Sequence, residues 1–473
     1  LGKQLGYKFQ PNPSSHGIAT FYVTIPASTG GFGLDTDYLP ILKKGSIFST
    51  TGGDSFTLDE DVHFSNSDNQ VVVANVDSDT GTPTSYAVKA SGRVVSGVMR
   101  EEYIEIGEFE KFLKVELEGE NIAEIILVED DQGNEYREVE TLSQNVVYRS
   151  ISNRSTDTND RAPELLKPFV VPRRFVLERD GDSISLQFGS GTTTKAITEK
   201  MADPAEIILN THGRTYISNT SFDPTKLIHS DKFGIAPVNT VLRVVYRQNT
   251  VENVNVPANS LTSTNDADFS WKDRSSLTLA SVASVADSLE VDNEEPIIGD
   301  VDFPTSFELK RRIFDNFSSQ GRAVTKQDYQ ALVYSMPSKF GAIKRVNIIR
   351  DADSHKRNLN MYIISENAFG HLSVANSAIK QNLKTWLNRH KMINDTIDIL
   401  DARVVNLGID FEVVAELEKN KYDVLDLALG NLRNELSINY DIGESFFITD
   451  IYKILKDVEG VVDVLNVEVN VQS

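Results

Sequence analysis

Residues 321–333, GRAVTKQDYQALV, hold a hydroxyl, a carboxylate, a phenol and two cations close together. Such groups could form a reactive site, or they could form a structural joint. Thr325 stands three residues before Asp328, the spacing at which a hydroxyl and a carboxylate cap a helix N-terminus reciprocally. Arg322 and Lys326 could bind an anion there, because a helix N-terminus offers free N–H groups and the positive end of a dipole. We predict a helix start with solvated or structural cations, and anion binding is the alternative.

The residues that follow support a helix after this cap. Tyr329, Leu332, Val333 and Met336 are spaced i, i+3, i+4 and i+7, which places them on one face of an amphipathic helix. Pro337 then indicates where the helix ends.

The segment FGSGTTTKA at 188–196 contains glycines that could let backbone N–H groups approach a phosphate. A phosphate-binding loop needs four residues between its glycines, followed by Gly-Lys-Ser/Thr. Here Gly189 and Gly191 are separated by one residue, and Thr194 precedes Lys195. The spacing favours a Gly-Ser turn over a nucleotide site.

Two acidic segments, EDDQGNE at 129–135 and RDADSH at 350–355, crowd carboxylates in the manner of calcium-binding loops. Neither has the full twelve-residue loop with Gly at the sixth position and Glu at the twelfth. Both lie between apolar runs, so we predict hairpin turns, with a bound cation as the alternative.

Other catalytic or metal-binding patterns are missing from the sequence. The chain has no Cys, which excludes disulfides, thiolate chemistry and cysteine-based zinc motifs. No Gly-x-Ser-x-Gly elbow occurs, and the histidines show no His-x-x-x-His or His-Glu-x-x-His pairing. The histidines are His16, His63, His212, His229, His355, His371 and His390. We therefore predict no catalytic residues, no metal, no cofactor and no small-molecule substrate, so that the chain is not an enzyme.

Composition restricts the class of partner. The 473 residues suffice for about three domains. Lys and Arg number 47 against 69 Asp and Glu, a formal net charge of −22, so we expect no nucleic-acid partner. No apolar run approaches the ~18 residues of a membrane span, so no membrane partner is expected. The chain opens on LGKQLGYKF, without an initiator Met or a secretory segment, which predicts that it is the later part of a longer polypeptide.

Charge is unevenly distributed along the chain. Residues 101–140 hold fifteen acidic and three basic side chains, whereas residues 301–350 hold nine basic and four acidic ones. Solvated faces would explain this distribution. Complementary patches between neighbouring subunits are the alternative.

Three domains are predicted from the patterning. Residues 1–150 hold short apolar or alternating runs broken by Gly, Asp, Asn and Ser, which indicate an antiparallel β domain. Residues 151–300 continue this pattern in RRFVLERDGDSISLQFG, LRVVYRQ and VENVNVP, and the polar segment 259–300 is predicted to be an extended connection, with an irregular insertion as the alternative. Residues 301–473 change to helical patterns that alternate with short strands.

The predicted fold class is therefore α+β and multi-domain, with a β-rich N-terminal two thirds of antiparallel sheets and a C-terminal region of helices on small sheets. The C-terminal helices are predicted at 305–317, 325–336, 373–390 and 423–438, with a last one through Ile448, Ile451, Tyr452 and Leu455. Alternating runs at 405–413 and 462–471 predict strands.

These segments together resemble the baseplate J-like family of contractile-tailed bacteriophages. The family's Arg-Ala-Val-Thr-x-x-Asp-Tyr run is matched by Arg322, Ala323, Val324, Thr325, Asp328 and Tyr329. Its closing pattern, a short helix and Gly-Val before the last strand, is matched by Ile451, Leu455, Gly460 and Val461. Upstream, KKGSIFSTTGGDSFTLDEDVHF is similar to the family's Gly-Thr-x-Phe strand pair, with Ser46 in place of Thr. FGIAPVNTVLRVVYR is similar to its Gly-x-x-Pro-x-x-Thr-x-Leu-x-Val-x-Tyr segment.

The resemblance is strong after residue 300 and loose before it. It implies a structural role in the tail baseplate of a virion, assembled in the host cytoplasm. It also implies that the chain associates with itself, as a homodimer and a ring of dimers, and with other baseplate wedge proteins. On this reading it links wedges into a ring around the central hub and rearranges when the sheath contracts.

A second class of function is a tail-associated protein that binds or cleaves carbohydrate. Exposed aromatic side chains such as Trp271 could stack on sugar rings. A sugar-binding surface should cluster such aromatics, whereas the chain has only 2 Trp. A third class, a nucleotide-dependent assembly motor, fails on the glycine spacing described above.

Overall fold

The computed structural model describes residues 2–8, 10–28, 33–152, 164–180, 183–192, 233–251, 253–351, 358–392, 394–436 and 440–472. Within them the predicted fold class is confirmed: the chain is α+β and β-rich, and most of its helices lie in the C-terminal region.

The strands up to residue 188 are β1 His16–Pro26, β2 Ile41–Leu42, β3 Ile47–Thr50, β4 Ser55–Leu58, β5 Val62–His63, β6 Gln70–Val76, β7 Pro83–Ser96, β8 Val98–Ile106, β9 Lys114–Leu117, β10 Ile122–Asp130, β11 Glu135–Glu138, β12 Val146–Ser152, β13 Glu164–Val170, β14 Arg174–Asp180 and β15 Ser183–Phe188. The later strands are β16 Thr240–Gln248, β17 Leu261–Asp266, β18 Phe269–Ser270, β19 Glu290–Asp292, β20 Arg345–Arg350, β21 Asn358–Glu366, β22 Leu372–Ser373, β23 Thr396–Asp401, β24 Asn406–Ala415 and β25 Val461–Gln472. The helices are α1 Leu279–Asp287, α2 Ser306–Ser319, α3 Lys326–Tyr334, α4 Ser377–Leu387, α5 Lys421–Leu436 and α6 Ile448–Lys456.

The first large sheet has the order β17-β3-β4-β7-β1-β19, and β6 pairs with the free part of β7. Strand β1 shows why the alternating runs form it, because Phe21, Val23 and Ile25 are at most 1% exposed while the residues between them are less buried. These side chains belong to a core that also includes Phe48 and Phe56 from β3 and β4.

The second large sheet has the order β8-β16-β10-β11-β14-β15-β9. All its pairs are antiparallel except β11 with β14, which is parallel. Its core is built around Ile122, Phe175, Leu186, Phe188 and Leu242. Strands β12 and β13 form a separate two-stranded hairpin.

The prediction of an extended connection at 259–300 is wrong. This segment supplies β17 to the first sheet beside β3, β19 beside β1, and the helix α1. Its pairing partners lie about two hundred residues or more earlier in the sequence, so local composition gave no sign of them. The strand predicted at 251–257 is also not present as such: Val256 makes only an isolated bridge to Ile297, and Pro257 after it has no N–H to extend a ladder.

The C-terminal region contains two smaller sheets, each covered by helices. Strand β21 pairs with β20 on one side and with β22 and β23 on the other, and α3 and α4 pack over a core that includes Ile348, Ile363 and Leu383. Strands β24 and β25 pair with each other, and α5 and α6 bury Leu432 and Leu455 against them. The predicted helices and strands of this region are therefore confirmed in type and approximate position.

Helix α4 begins at Ser377, later than the predicted 373. The side chain of Asn376 accepts a hydrogen bond from the amide of Ile379 at 3.0 Å and so caps the helix. The preceding residues form β22. At the end of α5, residues 437 and 438 of the predicted helix lie outside the described residues.

The division into domains 1–150, 151–300 and 301–473 stays a prediction. The second sheet takes strands from both sides of residue 150, because β16 pairs with β8 and β10. In the described residues after 300, the strands pair only among themselves.

Candidate functional site

The family-motif segment forms the start of α3. Gln320 and Gly321 have positive φ angles of 51° and 73°, which turns the chain sharply after α2. Thr325 then caps α3: its hydroxyl accepts from the amide of Asp328 at 3.2 Å, and the Asp328 carboxylate accepts from the Thr325 amide at 2.7 Å. The amide of Val324 donates to the same carboxylate at 3.1 Å. The predicted capping box is therefore present.

Two motif residues are buried, and they fix α3 to the rest of the C-terminal core. Ala323 is fully buried, and its amide donates to the carbonyl of His390 at 3.1 Å. Tyr329 is 1% exposed, and its hydroxyl donates to the Asp395 carboxylate at 2.7 Å. Burial, followed by this hydrogen bond, raises the pKa of the Tyr329 phenol far above its usual value. Tyr329 is therefore a neutral donor at physiological pH.

Residues at and just after the end of α4 complete the joint, by which we mean the contacts that fix the start of α3 to the rest of the C-terminal core. A ring nitrogen of His390, Nδ1, lies 2.9 Å from the carbonyl oxygen of Gly321. The Trp386 ring packs at a tilt against the His390 ring, with 4.4 Å between centroids, and its indole N–H donates to the carbonyl of Leu332 at 2.8 Å. The sequence predicted a helix through Trp386, at 373–390, but it gave no sign that His390 or Asp395 belongs to the motif.

The remaining motif residues point outward. Arg322 and Lys326 are exposed, and their side chains make no ion pair or hydrogen bond with another described residue. Val324 is 58% exposed. The hydroxyl, carboxylate and phenol of the segment are thus engaged within the chain, and the cations and one apolar side chain face solvent. Such an arrangement can position helices and contact a partner.

The second family-motif pair, Gly460 and Val461, also has a structural basis. Gly460 has a φ of 95°, and a Cβ atom there would come within 2.8 Å of the Lys419 side chain and 3.0 Å of Val424. The carbonyl of Gly460 accepts from the amide of Glu416 at 2.9 Å. Val461 then begins β25 and packs against the core of this module. Because glycine has no Cβ, the chain at 460 can turn from α6 into β25 close to Lys419 and Val424.

The other sequence candidates do not assemble into a site. In EDDQGNE the Asp130 carboxylate accepts from the amides of Gln132 and Asn134 at 3.0 and 2.8 Å, which makes it part of the turn between β10 and β11. Of FGSGTTTKA only residues 188–192 are described, and there the amide of Gly191 donates to the carbonyl of Gly234 at 2.9 Å. The acidic run at 350–355 falls mostly outside the described residues, from 352 onward.

The described histidines are dispersed. His16 is buried, its Nε2 lies 2.8 Å from the carbonyl oxygen of Lys339, and burial lowers its pKa to about 3. His63 and His371 are exposed, and His390 belongs to the joint. The other three, His212, His229 and His355, lie outside the described residues. Among the residues that the structure describes, no group of three His, Cys, Asp or Glu side chains could hold a metal ion.

A cluster that the sequence did not indicate lies between the N-terminal and C-terminal cores. The Asn255 side-chain amide donates to the carbonyls of Asp300 and Glu366 at 2.8 and 3.1 Å. The buried Glu366 carboxylate pairs with the buried Lys344 ammonium at 2.8 Å. The Asp300 carboxylate accepts from the amide of Val254 at 3.3 Å. The pKa of Asp300 is raised to about 7, mainly by burial; the charges of Asp302 and Glu366 also raise it, and the backbone amides that donate to the carboxylate lower it.

A cleft of about 540 Å³ lies beside β7, β10 and the β12–β13 hairpin. Its buried cation is Arg247, which is 2% exposed as a residue. The guanidinium donates to Ser14 Oγ at 3.0 Å, to the carbonyl of Ser96 at 2.6 Å and to the Glu124 carboxylate at 3.0 Å. This arginine therefore joins segments of the fold and has little left to offer a ligand.

Comparisons with solved structures find ten similar chains. No protein-family model matches the chain, and no curated protein sequence matches it. It is similar to a chain in the cryo-EM structure of the anti-feeding prophage baseplate, with 10% identity over 98% of this chain and 74% of that one and a TM-score of 0.26. It is also similar to a chain of the type VI secretion system TssK-TssF-TssG baseplate subcomplex, with 8% identity over 83% of this chain and 89% of that one and a TM-score of 0.26.

Both neighbours are baseplate assemblies. In the described residues, no helix is both long and apolar enough to cross a membrane.

Proposed function

We propose that this chain is a structural wedge subunit of a contractile tail baseplate. In this proposal it forms homodimers and a ring of dimers, contacts other baseplate wedge proteins, links the wedges around the central hub and rearranges when the sheath contracts. It acts in the virion and is assembled in the host cytoplasm. It has no enzymatic activity and uses no cofactor, nucleic acid, membrane or small-molecule substrate. The sequence resemblance suggests this role, and in detail the chain looks similar to the large inner wedge protein of T-even-type phages.

The observation that carries the proposal is the joint around Thr325 and Tyr329. The residues by which the chain resembles the family are used to cap α3 and to fix it to α4, with Tyr329 bonded to Asp395 and Ala323 bonded to His390. A reactive site would leave a nucleophile or base open to a substrate. These groups instead satisfy one another, as expected of a structural element.

Exposed apolar side chains give independent support for assembly. On β24 and β25, which pair only with each other in the described residues, Leu465 and Val471 are 64% and 66% exposed. On α2, Phe307 and Phe314 are 77% and 69% exposed. Large apolar side chains left exposed on a folded chain are consistent with protein–protein contacts where they form a patch.

The carbohydrate-binding alternative is weakened by the two tryptophans. The Trp271 indole N–H donates to the carbonyl of Tyr38 at 3.2 Å, and its ring packs against Phe269 at 5.8 Å between centroids. Trp386 is 8% exposed. Trp271 is half-buried, and the Arg274 guanidinium lies 5.7 Å from the centroid of its ring, so both indoles are engaged within the chain.

Two measurements test the proposal. The particle mass of the purified chain, alone and mixed with neighbouring baseplate proteins, should exceed that of one chain and rise further in the mixture. Glycan and nucleotide hydrolysis assays should show no turnover. A turnover that a single carboxylate substitution abolishes would refute the structural role in favour of an enzyme.

A further inference from the structure

Helix α2 carries its large apolar side chains on the side that faces solvent. Phe307, Phe314 and Phe317 are 77%, 69% and 57% exposed, and their spacing of seven and three residues keeps them near one face. A helix on the surface of a globular protein normally turns such a face to the core. Burying these three rings against a partner would remove a large apolar area from water.

Unpaired cations lie on the same helix and on the segment that follows it. Lys310 lies on the same face, the amide of Arg322 donates to the carbonyl of Ser319 at the end of α2, and Lys326 begins the adjacent helix α3. All three side chains are exposed and make no ion pair or hydrogen bond with another described residue. By contrast, Arg311 is paired with Asp441 at 3.0 Å. We call Phe307, Lys310, Phe314, Phe317, Arg322 and Lys326 the basic aromatic surface.

A surface of opposite charge lies on β8 and the segment after it. Tyr103 is 64% exposed and Phe109 is 37% exposed. The carboxylates of Glu105, Glu108 and Glu110 beside them are exposed and make no ion pair or hydrogen bond with another described residue. We call these five residues the acidic aromatic surface. It matches the basic aromatic surface in its three unpaired charges and in its exposed rings.

We propose that the basic aromatic surface of one copy of the chain docks on the acidic aromatic surface of a second copy. The proposal rests on the proposed function, which requires self-association, and it names the surfaces that perform one such contact. Charge complementarity between the two surfaces is the reason for proposing a second copy as the partner. The net charge of −22 makes two copies repel at long range, and three opposed charge pairs at close range offset that repulsion and orient the encounter.

The geometry of this contact has a consequence for assembly. The two surfaces differ, so each copy keeps one of them open after the first contact, and the contact repeats head to tail. Such a heterologous contact extends dimers into a ring when its rotation closes. If the basic aromatic surface paired with itself, the three unpaired cations of one copy would face the same three cations of the other, which is unfavourable.

Complementation between two variants tests the proposal. The first carries Lys310→Glu with Phe314→Ser, and the second carries Tyr103→Ser with Glu105→Lys. The matched control is Leu417→Ser with Glu418→Lys, a similar pair of exposed changes outside both surfaces. Particle mass is measured across a concentration series. Each variant should stop at dimers, with the dissociation constant for further growth raised at least ~30-fold, the effect of losing a hot-spot residue.

An equimolar mixture of the two variants should recover growth, because each still supplies the surface that the other lacks. The control variant should grow as the unmodified chain does. Since every substituted residue is exposed, thermal melts should be unchanged. Should either variant melt early, Lys310→Gln and Glu105→Gln replace the two pairs in the same design.

The other outcomes overturn the inference and separate it from the proposed function. If the unmodified chain grows beyond dimers and both variants grow equally well, this contact is wrong while self-association stands. If the Tyr103 variant alone keeps growing, the basic aromatic surface pairs with itself. If the unmodified chain stops at dimers, or grows only when another baseplate protein is added, the head-to-tail contact is wrong and the homodimer stands. A chain that is monomeric at every concentration contradicts the proposed function as well.

Discussion

Replacement of Asp300 by Asn should stabilise the chain much more at pH 8 than at pH 5. Asp300 is half-buried between the two cores, and its pKa of about 7 lies well above the ordinary value of 3.8. A carboxyl whose pKa is raised by folding stabilises the folded state while it is protonated, and this stability is lost as pH rises from the unfolded pKa through the folded one. The full difference corresponds to about 4 kcal/mol. About 3 kcal/mol of that loss falls between pH 5 and pH 8.

The assay is the free energy of unfolding from urea titrations of the unmodified chain and of Asp300→Asn at both pH values. The difference between the two proteins isolates Asp300 from other titrating groups. His16 is one of these: burial lowers its pKa to about 3, so its contribution to stability is lost as pH falls below 6.5 and acts in the opposite direction. The exposed neighbour Asp302 supplies the control, since Asp302→Asn should leave most of the pH dependence in place.

A difference between the unmodified chain and Asp300→Asn that is equal at pH 5 and pH 8 would refute the reasoning. It would mean that Asp300 is ionised or hydrated in the folded protein at both pH values, despite its burial. A smaller pH-dependent difference of the same sign would mean that water or a local rearrangement solvates the carboxylate in part.

Three further changes have defined outcomes. Thr325→Ala should lower the free energy of unfolding by about 0.5 to 2 kcal/mol because α3 loses its cap, whereas Thr325→Ser should retain most of the stability. Unchanged stability with failed assembly would mean that the segment is an interface instead. Tyr329→Phe should lower the free energy of unfolding, measured with urea, by about 1 to 3 kcal/mol because the Asp395 carboxylate loses a donor. An unchanged free energy would mean that water replaces the lost donor. Strand β6 is an uncharged edge strand of seven residues, and its Val72 is 61% exposed. Val72→Lys should therefore slow aggregation on heating without lowering the melting temperature. Unchanged light scattering would show that this edge does not aggregate.

Local chemistry explains which parts of the fold could be predicted from the sequence. The capping box of Thr325 and Asp328 depends on residues three positions apart, so its spacing was sufficient to predict it. The partners His390 and Asp395 lie more than sixty residues away along the chain, and only the folded structure brings them to the motif. In the same way β17 and β19 join β3 and β1 from a segment whose composition indicated no strands.

The exposed side of α2 shows a second limit. The spacing of Phe307, Phe314 and Phe317 indicates an apolar helix face, and a sequence pattern alone would place such a face in the core. Which face a helix buries depends on what packs against it, and here the phenylalanines remain exposed. The same holds for Asp300, because its altered pKa arises from burial between segments that are distant in sequence.

The particle mass of the purified chain, measured by light scattering across protein concentration and salt, tests the central claim most directly. We predict at least two chains per particle at tens of micromolar protein. The particles should persist at 1 M salt, where the screening length falls to about 3 Å, because apolar contact holds them together. Stopped-flow mixing should show slower association in that salt, because opposed charges no longer guide the encounter. A chain that stays monomeric at every salt concentration would contradict a self-associating baseplate subunit.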